Sequence, residues 1–251
     1  MARQKGLLKI KGTLDDLTFY KTQDGNLVKM KGGVSKERIA TDPNFRRTRE
    51  NGTEFGLAAS AGKLVRDALR NLLLNAADGR IASRLTQVMT LIKDYDSTST
   101  RGSRSVGIGI TVPQGKALLK GFNFNIRAIM GGILFKPYVL NTTTGSVGIS
   151  QLIPANDIAF PQGATHASLR SAWAKVDFDT KQSEAVTSNV FNVPLNNAPV
   201  NVGLTIAAPP TLATGANIFV LLIEFFQEVN GVQYSLRNGA FNALVVTEVT
   251  D

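Results

Sequence analysis

The chain has no cysteine and only one histidine, His166. The first absence excludes disulfide staples, thiol nucleophiles, thiolate zinc sites and iron–sulfur clusters. The second excludes histidine-rich metal centres and argues against a histidine-based triad. Long apolar runs are missing too. The longest is Ile218-Phe219-Val220-Leu221-Leu222-Ile223, closed by Glu224, far short of the roughly 20 residues that span a bilayer. It reads as a buried central strand, and no membrane insertion is expected. At the start of the chain, Leu7-Leu8 runs straight into Lys9, so no signal-peptide core forms. Synthesis in the cytoplasm is expected, with release as part of a particle left open.

What remains is a chain of 251 residues, 43% hydrophobic and 19% charged, with a mean hydropathy of zero. That length predicts one or two globular domains at roughly 100–200 residues each. The net charge of +9 is unevenly placed. Residues 1–104 hold 20 Lys and Arg against 11 Asp and Glu, whereas residues 105–251 hold 8 of each. Such asymmetry suggests a basic region that meets an acidic partner or a polyanion, joined to a neutral domain. Solvated helices rich in Lys and Arg would give the same asymmetry.

The first residues read as β. Segments 7–11, 17–21 and 27–31 alternate or are rich in strand formers, and Asp24-Gly25 favours a hairpin turn between the last two. On a pleat, Lys9 and Lys11 share one face, as do Lys29 and Lys31, while Leu8, Ile10, Val28 and Met30 take the other. Asp42-Pro43 is a helix start signal. Apolar residues from Phe55 to Leu73 recur at helical spacing, although Gly52, Gly56 and Gly62 lie in or near this stretch. A second stripe, Ile81, Leu85, Val88 and Ile92, predicts a helix from Arg80 to about Asp94. The two stripes are expected to pack on each other as a helical hairpin.

Residues 97–105, polar and small, read as a linker. Beyond them, strands are predicted at 106–112, 121–128, 133–140, 167–178, 186–193, 200–207, 217–228, 232–237 and 243–249, with an Asn230-Gly231 hairpin signal. The expected architecture is a two-part α+β chain. Residues 1–96 would form a β-meander with a helical hairpin, and residues 106–251 an antiparallel β-sandwich or jelly-roll-like domain.

Catalytic constellations are not evident. Gln114-Gly115-Lys116 lacks the flanking residues of a phosphate loop, Gly107-Ile108-Gly109 does not extend to GxGxxG, and no serine sits in GxSxG. Asp177 and Asp179 would point the same way on a strand, which suits a cation or a solvated strand end. His166 falls in a predicted loop and reads as structural. No enzyme activity, cofactor or metal is expected. The basic residues Lys9, Lys11, Lys21, Lys29, Lys31, Lys36, Arg38, Arg46, Arg47 and Arg49 form the candidate interaction surface. They could contact phosphates, with Phe19, Tyr20 and Phe45 stacking on bases, or dock an acidic protein or a neighbouring subunit.

Several stretches carry a resemblance. They include Phe19-Tyr20-Lys21-Thr22, Lys31-Gly32-Gly33-Val34-Ser35-Lys36-Glu37-Arg38-Ile39 and Asp42-Pro43-Asn44-Phe45 with Arg47-Thr48-Arg49-Glu50-Asn51. Further on come Pro154-Ala155-Asn156-Asp157, Gly163-Ala164-Thr165-His166, Glu224-Phe225-Phe226-Gln227-Glu228-Val229-Asn230-Gly231 and Arg237-Asn238-Gly239-Ala240-Phe241-Asn242. In these the chain resembles an uncharacterised family of Bacteroidota proteins. The resemblance implies a shared two-part architecture and brings no activity, cofactor or site. The sequence reading is therefore a non-enzymatic structural or interaction protein, self-assembling as the subunit of a filament, sheath or virus-like particle. A nucleic-acid-binding protein is the alternative, and a carbohydrate- or ligand-binding sandwich a weaker one.

Overall fold

The computed structural model describes residues 2–6, 8–30, 32–236 and 239–251. Leu7, Lys31, Arg237 and Asn238, which entered the strand, surface and resemblance readings, lie outside the described residues. The protein is a mixed α+β chain of two compact units, Met1–Arg49 and Glu50–Asp251.

The first unit is a four-stranded antiparallel sheet followed by short helical turns. Its strands are β1 (Ala2–Arg3), β2 (Gly12–Leu14), β3 (Leu17–Thr22) and β4 (Gly25–Met30), in the order β1-β4-β3-β2. The predicted turn closes β3 onto β4 with Thr22 opposite Gly25. A second tight turn, Asp15-Asp16, joins β2 to β3 where Leu14 pairs with Leu17. Asp15 takes a positive φ of 46° there, a conformation Asp tolerates better than most residues. Of the predicted strand at 7–11, the described residues 8–11 are irregular. Ser35 then caps α1 (Lys36–Thr41), its Oγ accepting the Arg38 amide at 3.2 Å. Asp42 caps a 3-10 turn, Pro43–Phe45, as its signal predicted, and α2 (Arg46–Ala68) follows directly.

The second unit has three layers. Helices α3 (Arg70–Ala76), α4 (Ile81–Lys93), α5 (Val106–Gly109), α6 (Pro113–Leu119) and α7 (Met130–Ile133) come first. They are followed by β5 (Val139–Leu140), β6 (Val147–Leu152), α8 (Pro154–Asp157), β7 (His166–Asp177), β8 (Gln182–Thr187) and β9 (Phe191–Pro194). The chain ends with β10 (Val200–Leu204), β11 (Ala216–Val229), β12 (Val232–Ser235) and β13 (Ala243–Thr250). The large antiparallel sheet runs β12-β11-β7-β8, with β13 also on β11 and β9 also on β7. A smaller sheet runs β10-β6-β5.

Alternation along the large sheet explains the layering. Ala172, Ala174 and Val176 of β7, with Ile218, Val220 and Leu222 of β11, face one core together with Ala58, Val65, Leu85, Met89 and Ile92 of the helices. Their neighbours Leu169, Leu221, Ile223 and Phe225 face a second core shared with Val147, Ile149, Val202 and Leu204 of the small sheet. Both faces of β11 are covered, so Ala216 to Ile223 are all buried. The apolar run at 218–223 suits such a strand, and the buried Asn217 beside it accepts from Trp173 Nε1 at 2.9 Å.

This layering moves the domain boundary. The helices do not form a hairpin closed on itself ahead of a linker; they supply half of a core whose other half is the sheet. The division falls between Arg49 and Glu50, and residues 97–105 lie inside the second unit. Other expectations shift as well. Residues 106–109 are helical, 121–128 contribute only an isolated bridge from Asn123 to Val245, and 133–140 hold a two-residue strand. The expected 186–193 strand is the end of β8 and the start of β9, and β6 was not anticipated.

Candidate interaction surface

Register in the first unit assigns each strand residue to a face. Leu14 opposes Leu17, Leu17 opposes Met30, Phe19 opposes Val28, and Ala2 opposes Val28 from the other side. One face therefore carries Ala2, Leu14, Leu17, Phe19, Val28 and Met30, with Lys21 and Asn26 at one end. The other carries Arg3, Thr13, Thr18, Tyr20, Leu27 and Lys29. None of the described residues of this unit is buried. Leu14 is 63% exposed and Met30 74%. A shallow hollow of about 320 Å³ opens beside Ala2, Leu17, Val28 and Met30. Within its own unit, the sheet thus presents an apolar face on which Leu14, Leu17 and Met30 are exposed and Phe19 and Val28 half-buried.

The described basic residues of this unit come from strands, irregular chain and helical segments. Lys21 lies on the apolar face, while Lys29 lies on the other, its Nζ 5.7 Å from the centre of the Tyr20 ring. Lys9 sits in irregular chain, where its Nζ donates to the carbonyls of Gln4 (3.0 Å) and Gly6. Lys11 immediately precedes β2, and Lys36 opens α1. Arg38 pairs with Asp42 at 3.3 Å and lies 6.0 Å from the Phe45 ring. Arg49 donates to the carbonyls of Ile39 (2.7 Å) and Asp42 (3.0 Å), so it ties α1 to the start of α2. Arg46 and Arg47 form the first turn of α2. The first unit nonetheless holds twelve Lys and Arg against five Asp and Glu, a net of +7.

In the second unit, the groups that drew attention in the sequence do structural work. Asp177 ends β7, and its Oδ1 accepts the amides of Asp179 and Thr180, both at 2.9 Å. The Thr214 hydroxyl donates to its Oδ2 at 2.6 Å. That bond, with the amides, holds the carboxyl below its ordinary range. His166 opens β7 rather than lying in a loop, with Nδ1 3.0 Å from the Thr165 hydroxyl. Gly109 and Gly115 serve close packing. A Cβ on Gly109 would stand 2.1 Å from the Ile92 carbonyl oxygen, and one on Gly115 would stand 2.0 Å from that of Gly109. Among the described residues, no group of three or more His, Asp or Glu is placed to hold a metal ion. No described helix is long and apolar enough to cross a membrane.

The sequence reading missed a buried ionic cluster. Glu54, 1% exposed, accepts from Lys93 Nζ (2.7 Å), from the Gly102 amide (2.7 Å) and from the Arg104 guanidinium. The Arg104 bond is the main reason its carboxyl is held down to about 2; burial opposes it and Lys93 assists. Beside it, burial pushes the Asp96 carboxyl up, but the amides of Ser105 and Ser99 and the Thr98 hydroxyl outweigh that and hold it low. Together these bonds pin the segment read as a linker. The same unit shows a second apolar surface, a groove of about 540 Å³ between α2 and α4 beside Phe55, Ala59, Thr86 and Leu91. Phe55 is 58% exposed. Compared with family models, curated proteins and solved structures, the chain matches none.

Proposed function

We propose that this protein is a non-enzymatic structural subunit that assembles with copies of itself. One observation carries the reading: the first unit has regular strands and tight turns, yet none of its described residues is buried. A sheet gains stability by covering an apolar face, and small modules without a core commonly rely on oligomerisation. A contiguous exposed apolar face is the usual mark of an interaction site. The rest of the chain supports the same reading, because its buried carboxylates serve turns, caps and ion pairs that hold the fold.

The test is the mass in solution by light scattering across a concentration series, with negative-stain microscopy of the same samples. Species of several subunits with a repeating arrangement are expected. A protein that stays monomeric at high micromolar concentration overturns the proposal.

A further inference from the structure

The apolar face of the first unit has a defined centre and two distinct ends. Its centre is the Phe19–Val28 pair, flanked by Leu17, Met30 and Ala2. Its two ends differ in charge. The Asp15-Asp16 turn closes one end, and Lys21 stands on the same face at the other. Four residue spacings separate Lys21 from Leu17, which follows the turn, so the two ends lie about 13 Å or more apart at roughly 3.3 Å per residue.

We propose that two copies of this chain associate through this face, sheet against sheet, with their strands antiparallel about a two-fold axis. The proposal rests on the subunit reading and specifies which surface makes the contact. A two-fold contact is self-complementary, so each contact between two different residues occurs twice, once in each direction. Turning the second copy end for end sets Lys21 of each copy over the Asp15-Asp16 turn of the other, while the apolar centres stack as in a sandwich. The parallel arrangement would place Lys21 on Lys21 and Asp on Asp. The net charge of +7 restricts the choice further, because like-charged units repel wherever cations face one another. Among the strand residues, this face carries the single cation Lys21, whereas Arg3 and Lys29 lie on the opposite one.

The experiment measures self-association of the full chain by sedimentation, with circular dichroism to verify that each variant is folded. Met30→Glu and Leu17→Glu put a charge on exposed positions and are expected to weaken association about tenfold or more. Lys21→Glu alone and Asp16→Lys alone should each weaken it, since each creates like-charge contacts across the two-fold. The combined Lys21→Glu/Asp16→Lys chain should recover association to near that of the unaltered protein. Asp16 is chosen because Asp15 holds the positive φ. If the unaltered chain is monomeric, the subunit reading falls and this inference with it. If it assembles but the Met30 and Leu17 variants assemble equally well, only the inference falls, and the α2–α4 groove becomes the surface to test. Loss in the single charge variants without recovery in the combined one overturns the antiparallel arrangement.

Discussion

Arg104 meets Glu54 at two points across fifty residues of chain: Nε to Oε1 and Nη2 to Oε2, both at 3.0 Å. A planar guanidinium matched to a carboxylate in this way fixes orientation as well as distance. Breaking a buried pair from one side leaves the other charge without compensation. Glu54→Ala should therefore lower stability by about 3–5 kcal/mol, read from urea unfolding followed by Trp173 fluorescence. A loss under about 1 kcal/mol would show the cluster to be dispensable, as exposed ion pairs are.

The same carboxylate sets an acid dependence. Its folded pKa of about 2 lies below its ordinary 4.5. Its contribution is thus complete above 4.5 and is lost as the pH falls toward 2. Unfolding curves between pH 5 and about pH 2 should show a shallower acid loss for Glu54→Gln than for the unaltered chain. Equal slopes would assign acid sensitivity to other carboxylates.

Glycines in this chain should behave in opposite ways. An added Cβ meets nothing within 4 Å at Gly56 but collides with backbone oxygens at Gly109 and Gly115. In protein held monomeric, Gly56→Ala is expected to stabilise α2 by about 1 kcal/mol. Gly109→Ala and Gly115→Ala should each cost about 3 kcal/mol or abolish folding. Thermal denaturation of the three variants distinguishes the cases.

Proteases should ignore the segment that most resembles a linker. Residues 97–105 are held by Asp96 and Glu54, whereas residues 32–36 are exposed. Brief digestion of dissociated protein followed by mass spectrometry should find the first cut within 32–36. A first cut within 97–105 would mean that the ionic cluster opens readily.

Nucleic acid offers a contrast. Binding through a basic surface releases counterions, so affinity falls steeply with salt. Here the cations are divided between two sheet faces, irregular chain and helix termini. Mixed-sequence DNA is expected to leave fluorescence anisotropy and assembly unchanged, and Lys9→Gln, Lys11→Gln and Lys29→Gln should make no difference. Tight, salt-sensitive binding lost in that triple variant would favour the nucleic-acid alternative.

Much of the fold was legible where one pattern had one meaning. The apolar run at 218–223, the Asn230-Gly231 turn and the stripe of α4 appear as expected. Elsewhere one pattern had two. Val106-Gly107-Ile108-Gly109-Ile110 alternates as a strand does, but 106–109 form a helix capped by Ser105, and Val106 and Ile110, one turn apart, both enter the first core. Val147-Gly148-Ile149 alternates in the same way and is a strand, since its valine and isoleucine enter the core beneath β7 and β11. Burial decided between them, and burial is set by distant residues. Glu54 left no local trace for the same reason: its partners stand at 93, 102 and 104. The apolar alternation of Val28 and Met30 was readable, but residues 8–11 are irregular and the edges fall to β1 and β2.

The first core gathers residues from Ala58 to Val249. Translation delivers these in order, so the helices emerge with their apolar sides uncovered and wait for β7, β11 and β13. Neither core closes until β13 has been made, because Leu244 and Val246 complete one and Ala243 and Val245 the other. Chains with such non-local contacts fold slowly and are open to aggregation meanwhile. A stop codon a few residues before Ala243 would remove a strand that both cores require. It would release a nascent chain with both cores open, a client for chaperones and proteases.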